Sequence, residues 1–252
     1  MTRLEGRHAL VTGGSRGIGK MIAAGYVKAG VKTYISSRKQ AACDATAAEL
    51  SALGTCISLP MDVSTVAGAK ALAAEIAKRE AKLDILVNNA GAAWLEPIDV
   101  FPEKGWDKVM DLNVKSPFFL TQALLPLLRE AAKTRVAKVI NIASIDGISV
   151  NPQETYSYAA SKAGLIQLTR RVAVQLAPEG IAVSAIAPGA FASEMNTVAR
   201  DQAEATAKRI PLRRIGTDED MAGAAIYLAS RAGDYVVGST LIVDGGVSYA
   251  RS

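Results

Sequence analysis

The chain holds one histidine, His8, and two cysteines, Cys43 and Cys56, in 252 residues. A single imidazole all but excludes a serine–histidine–aspartate relay and a histidine-rich metal centre. The cysteines lack metal-ligand spacing, so no metal is expected, and their scarcity points to a reducing compartment, the cytoplasm. No apolar run approaches the ~18 residues that a membrane span needs, and the N-terminus shows no signal-peptide pattern. The formal net charge of +5 favours anionic ligands. It is spread along the chain rather than gathered into a stripe, so neither nucleic acid nor membrane is an expected partner.

What is present is an ordinary globular balance, 50% hydrophobic and 21% charged, in a length suited to one α/β domain. Strand-like and helix-like segments alternate throughout. Strands are expected at Arg7–Thr12, Lys32–Ser37, Cys56–Met61, Leu83–Asn88, Ala137–Ala143, Ile181–Ala187 and Thr240–Val243. Helices are expected at Ile18–Ala29, Gln40–Leu53, Val66–Arg79, Glu103–Leu112, Val114–Ala132, Tyr156–Leu176 and Asp218–Ser230. Strands separated by helices imply a doubly wound, Rossmann-type parallel sheet covered on both faces, in a single domain.

The first strand runs into Thr12-Gly-Gly-Ser-Arg-Gly-Ile-Gly19, and a helix starts at once. Gly13, Gly17 and Gly19 do not have strict G-x-G-x-x-G spacing. They suit the same work: a tight turn, close approach of backbone to a pyrophosphate, and close helix–strand contact. The helix N-terminus adds unpaired N–H groups for the phosphates. A purely structural turn is the alternative; strand before and helix after favour dinucleotide binding.

Tyr158 and Lys162 stand four apart in a helical segment, so phenol and ammonium project from one face. A free phenol holds its proton too tightly for exchange at neutral pH. One cation about 4 Å away, at an effective dielectric near 20, supplies about 4 kcal/mol and is expected to pull the Tyr158 pKa down toward neutrality. By itself Y-x-x-x-K is a weak motif, more often met as a buried tyrosine above a surface lysine.

Taken in order, these residues resemble the short-chain dehydrogenase/reductase family over essentially the whole chain. Thr12–Gly19 is similar to its cofactor loop, Asp62-Val63 to its adenine-contacting pair, and Asn88-Asn89-Ala90-Gly91 to the turn after its fourth strand. Asn113, Ser144, Tyr158 and Lys162 match its catalytic tetrad. Pro188-Gly189 matches the turn after the sixth strand, and Val243-Asp244-Gly245-Gly246 the ending. Ser193 stands where the family often has a threonine that contacts nicotinamide, and Tyr156 is a near neighbour that lacks a lysine one turn on. The resemblance implies cofactor contacts at Gly13, Ser15, Arg16, Gly17, Ile18, Gly19, Ser37, Arg38, Asp62, Val63, Asn89, Ala90, Gly91, Pro188, Gly189 and Ser193. It implies that Ser144 holds a substrate carbonyl, Tyr158 donates the proton, Lys162 lowers the phenol pKa, and Asn113 supports a proton-refilling water chain by interrupting its helix. Asn113 as a helix cap and Ser144 as a strand-end hydroxyl are the plainer alternatives.

After the second strand, Ser36-Ser37-Arg38-Lys39 contains no carboxylate to hold a ribose 2′-hydroxyl. Arg38, seconded by Arg16, suits a 2′-phosphate, so the expected cofactor is NADPH (NADP+). Ala190–Ile215, with Met195 and Ile210, is the expected substrate lid. The general resemblance is to 3-oxoacyl thioester reductases, on CoA or acyl carrier protein. Against the latter, Leu125 and Val174 align where carrier-protein enzymes tend to carry arginine; Arg129, Arg170 and Arg171 lie nearby. An alcohol, sugar or steroid dehydrogenase, or a non-catalytic NADPH sensor, remains open. Phe118–Leu128, apolar nearly all round with Pro117 and Pro126 as breaks, and the small residues of Tyr156–Leu176 imply self-association; the family resemblance implies a homotetramer.

Overall fold

Apolar runs with no polar alternation need cover on both faces, and the chain supplies it with helices between strands. The protein is described from a computed structural model, over residues 2–194 and 196–250. Its strands are β1 (His8–Thr12), β2 (Lys32–Ser36), β3 (Cys56–Ser58), β4 (Ile85–Asn88), β5 (Ala137–Ile142), β6 (Ile181–Pro188) and β7 (Thr240–Val243). They form a seven-stranded sheet in the order β3-β2-β1-β4-β5-β6-β7, with every pairing parallel. The order reverses between β1 and β4, which leaves a crevice outside their carboxyl ends, the place where such sheets bind ligands.

The helices are α1 (Gly17–Lys28), α2 (Gln40–Ser51), α3 (Val66–Ala77), α4 (Glu103–Met110), α5 (Ser116–Ala132), α6 (Tyr156–Leu176), α7 (Thr197–Asp201), α8 (Ala203–Ala207) and α9 (Asp218–Ala229). One core layer packs Ile22, Tyr26, Met221 and Leu228 from α1 and α9 against the sheet. The other packs Leu72 and Ile76 of α3, Leu120, Leu124 and Leu128 of α5, and Ala173 and Leu176 of α6. Contact between α1 and α9 is close enough that a Cβ on Gly25 would lie 2.6 Å from that of Ala222.

Three expected features come out in altered form. Asn113 interrupts the α-helical pattern without ending the helix; α4 runs into α5 through one π-helical turn, Asp111–Lys115. Pro117 and Pro126 do not break α5 either. Pro117 falls in the first turn, where a missing donor costs little, and Pro126 is absorbed within the helix. The third strand stops at Ser58 rather than Met61, although the N–H groups of Leu59 (2.9 Å) and Met61 (3.0 Å) still donate to the Ile35 and Ser37 carbonyls beside β2. The expected lid is an excursion that carries α7 and α8, closed at its base by a bridge between Phe191 and Gly216. Met195 lies outside the described residues. No helix among the described residues is long and apolar enough to cross a membrane.

A buried polar ladder fixes β4 and β5 where they end. Asn88 Nδ2 donates to Asn141 Oδ1 (2.8 Å) and Thr121 Oγ1 (3.2 Å), and Asn141 Nδ2 donates to Thr169 Oγ1 (2.9 Å). Removing a member strands the others away from water. Asn141→Ala is therefore expected to cost about 1–3 kcal/mol of stability, read as a lower urea midpoint with an unchanged slope.

Candidate active site

The glycine turn is built by contacts that admit no side chain. A Cβ on Gly13 would lie 2.8 Å from Asn89 Nδ2, and one on Gly19 would lie 2.3 Å from the Gly13 carbonyl oxygen. Gly17 has φ +51°, a left-handed value suited to glycine. Gly14, absent from the expected contacts, is equally constrained, its Cβ direction blocked at 2.8 Å by Ile35. Across the crevice Asn89 Nδ2 donates to the carbonyls of Thr12 (2.9 Å) and Gly13 (3.2 Å). Thr12 Oγ1 accepts from the Asn89 and Ala90 N–H groups, both at 3.0 Å. One hydroxyl thus ties β1 to the turn after β4, a role that the residue type alone does not announce.

The remaining candidate cofactor residues gather round this crevice. Ser15 is held by Thr46, whose hydroxyl donates to its carbonyl (2.9 Å). Ile18, in the first turn of α1, packs against the core. Ser37 and Arg38 follow β2; Arg38 is exposed and has no ion-pair or hydrogen-bond partner among the described residues. Arg16, the expected second cation for a 2′-phosphate, is instead paired with Glu194 on the segment after β6. Both side chains are more than half exposed, so the pair is weak and readily exchanged. Asp62 accepts from the Ser64 N–H (3.0 Å), while Val63 is buried in the core. Gly189 is required chiefly by the turn after β7: its Cβ would lie 2.7 Å from that of Asp244. Ser193 reaches the glycine loop, 3.1 Å from where a Gly17 Cβ would stand. The Ser36 hydroxyl, buried at the end of β2, has no partner among the described residues. A glycine cradle at a helix N-terminus, an orphan hydroxyl and an unpaired arginine together fit a phosphorylated dinucleotide.

Ser144, Tyr158 and Lys162 meet at the carboxyl end of β5. Ser144 Oγ accepts from the Asp146 N–H (3.1 Å) and caps a short turn, Ile145–Gly147. Lys162 Nζ donates to the Ile142 carbonyl (2.7 Å) and lies 5.5 Å from the centre of the Tyr158 ring. Asn113 clamps the loop after β4 to α6. Its Oδ1 accepts from the Ala92 N–H (2.8 Å), and its Nδ2 donates to the Ala92 carbonyl and to Ser161 Oγ, both at 2.9 Å. Both amide hydrogens are committed, so its side chain is a clamp rather than a helix cap. Gly91 completes the corner: a Cβ there would lie 3.2 Å from Asn113 Oδ1 and 3.7 Å from Lys162 Nζ.

The electrostatics of this corner overturn one expectation. Lys162 does not pull the phenol toward neutrality. Burial pushes Tyr158 up to about 12, against a hydrogen bond with Ser144 that favours ionisation, with the Asp146 charge adding to the rise. Lys162 is itself pushed down from 10.5 to about 8 by burial, with Asp146 opposing. Helical spacing delivered the two groups to one place, but there Lys162 is buried and Tyr158 only part-exposed, and desolvation exceeds the attraction. Asp146, Ser161, Asn141 and Thr12 also belong to this constellation. Only the three-dimensional packing reveals them, since each is a common residue with no motif of its own.

Known proteins share this fold. The family model described as enoyl-(acyl carrier protein) reductase matches residues 13–248. The rhamnolipids biosynthesis 3-oxoacyl-[acyl-carrier-protein] reductase of Pseudomonas aeruginosa is 50% identical over 247 residues, covering 96% of both chains. The chain belongs to the short-chain dehydrogenase/reductase family. As a member it is an oxidoreductase with the family's Rossmann-type sheet. A solved Pseudomonas aeruginosa RhlG/NADP active-site complex superposes with TM-score 0.95 at 47% identity, over 98% of both chains. A 2-dehydro-3-deoxy-D-gluconate 5-dehydrogenase of Dickeya dadantii is 39% identical over 255 residues, 96% of both chains. Relatives named for acyl and for sugar-acid substrates are therefore similar to this chain over nearly its whole length.

Burying the Lys162 charge has a cost in stability. With its pKa depressed on folding, the unfolded chain binds more protons between about pH 8 and 10.5. The penalty is thus full below pH 8 and fades as pH rises through that window. Lys162→Met is expected to melt a few degrees above the parent at pH 7, with the gap narrowing by pH 10 in differential scanning calorimetry.

Proposed function

We propose that the protein is an NADPH-dependent carbonyl reductase that converts a 3-oxoacyl thioester to its secondary alcohol. The observation that carries this reading is the meeting of the Ser144 and Tyr158 hydroxyls above a buried ammonium, beside a cradle fitted to a dinucleotide. Gly13, Gly17, Gly19, Asn89 and Ser193 hold the dinucleotide, and Arg38 takes its 2′-phosphate, with Arg16 free to join by leaving Glu194. The bound dinucleotide supplies hydride to the carbonyl carbon. Ser144 donates a hydrogen bond to the carbonyl oxygen, and Tyr158 gives that oxygen its proton as charge develops. A phenol held protonated by its surroundings is suited to donating rather than abstracting. Lys162 keeps a positive charge next to the forming oxyanion, and Asn113 holds the Ala92 loop against α6 so that the corner keeps its shape.

An acyl chain suits the crevice rim. The loop after β4 exposes Leu95, Ile98 and Val100, and the loop after β5 exposes Ile148 and Val150. The two meet beside α6, where the Glu96 N–H donates to the Glu154 carbonyl (3.2 Å) and Phe101 meets Tyr156 edge-on at 5.8 Å. Arg129 is held by Glu179 in two hydrogen bonds, and Arg170 and Arg171 turn to glutamines of their own helix. A CoA thioester therefore suits the surface at least as well as a carrier protein. The excursion at 190–215 serves as the substrate lid.

Self-association follows from the outer face of α5 and α6. A groove of about 340 Å³ there is lined by Phe118, Leu125, Leu168 and Val172, and Val174 is 72% exposed. A second copy would cover it, and a homotetramer in the cytoplasm is the proposed working form.

Tyr158→Phe is expected to abolish NADPH-dependent reduction of a 3-oxoacyl-CoA while leaving NADPH affinity within about twofold, read by absorbance and by fluorescence titration; undiminished turnover would refute the mechanism. In the same assay a 3-oxoacyl-CoA is expected to exceed keto-sugar acids in kcat/KM. Tight NADPH binding without turnover of either would indicate a sensor. Arg38→Asp is expected to weaken NADPH by tenfold or more, in line with about 1.4 kcal/mol or more of lost ion pairing.

A further inference from the structure

The turn after β5 brings a third ionisable side chain to the corner. Asp146 follows Ser144 by two residues, and its N–H is the group that Ser144 Oγ accepts from. The turn is pressed onto α6 at Lys162: a Cβ on Gly147 would lie 2.6 Å from the Lys162 carbonyl carbon and 2.7 Å from the Ala163 nitrogen. The elements packed on this turn are α6 and β6. From α6 the titratable groups at the corner are Tyr158 and Lys162, while β6, Ile181–Pro188, carries none. Asp99 and Glu154 act on Tyr156 instead. Among the described residues Asp146 is the one charge that bears on both Tyr158 and Lys162.

We propose that Asp146 is a specificity-determining charge, which repels substrates that carry a carboxylate beside the reacting carbonyl. The inference rests on reading Ser144 and Tyr158 as the carbonyl-binding pair. A carbonyl held by those two hydroxyls lies within the field that reaches both ionisable partners on α6. A neutral thioester or ester at the neighbouring carbon is indifferent to that field. A carboxylate there is opposed, and like charges within about 6 Å at an effective dielectric near 20 separate the two by roughly tenfold or more. The same charge opposes loss of the Tyr158 and Lys162 protons, so it favours the direction in which the phenol donates.

The test uses a matched pair of ketones, ethyl acetoacetate and acetoacetate, with NADPH and the full-length enzyme. The parent is expected to favour the ester in kcat/KM; where the acid is not turned over, its inhibition constant against the ester gives the comparison. Asp146→Asn is expected to narrow the ester-to-acid preference by roughly tenfold. It should also move the alkaline limb of the reduction profile to lower pH, whichever of the two protons sets it. Asp146→Glu is expected to restore both. An Asp146→Asn enzyme with the parent's melting temperature, but an unchanged preference or an unmoved limb, would overturn the proposal. Reduction of ethyl acetoacetate by Tyr158→Phe would instead overturn the reading beneath it.

Discussion

A positive charge held out of water organises the corner. Lys162 gives a hydrogen bond to the carbonyl that ends β5, and burial draws its pKa to about 8, close to the point where the charge would be lost. Retaining it there needs rigid surroundings, because a mobile corner would admit water or let the amine swing away. The clamp from Asn113 to Ala92 and Ser161, the backbone of Gly91 and the turn at Gly147 supply that rigidity. Loss of any of them would loosen the geometry before it touched the chemistry.

The parallel sheet makes this assembly possible. Every strand points its carboxyl end to the same edge, so the turns after β1, β4, β5 and β6 converge although they are far apart in sequence. Small polar groups join them there. The Thr12 hydroxyl spans from β1 to the turn after β4, and the Asn88–Asn141–Thr169 ladder runs from β4 through β5 to α6. Buried groups of this kind are costly unless fully paired, which gives the edge one arrangement rather than several.

Relatives named for acyl and for sugar-acid chemistry share the frame, so the frame does not choose the substrate. What differs must lie at the rim and in the charges just inside it. Here the rim loops expose aliphatic side chains and the inner turn carries a carboxylate. These two features underlie the proposed preference for a neutral, apolar acyl group. The pairing of Arg16 with Glu194 adds a further element, since it links the glycine loop to the segment leading into α7.

Alternating apolar segments and punctuating glycines made the doubly wound sheet legible, and α6 and β7 have the bounds that the pattern implies. Gly13, Gly17 and Gly19, and the spacing of Tyr158 and Lys162, were legible too, because local geometry fixes where such residues point. Helix continuity through Pro126 was not, since tertiary packing overrides local breaking tendencies. Nor was the electrostatic balance at Tyr158: sequence spacing specifies which charges are neighbours, whereas the surrounding fold decides how much water they keep. For that reason the one-dimensional pattern determined the members of the corner, and only the packed protein decided their proton affinities and brought Asp146 among them.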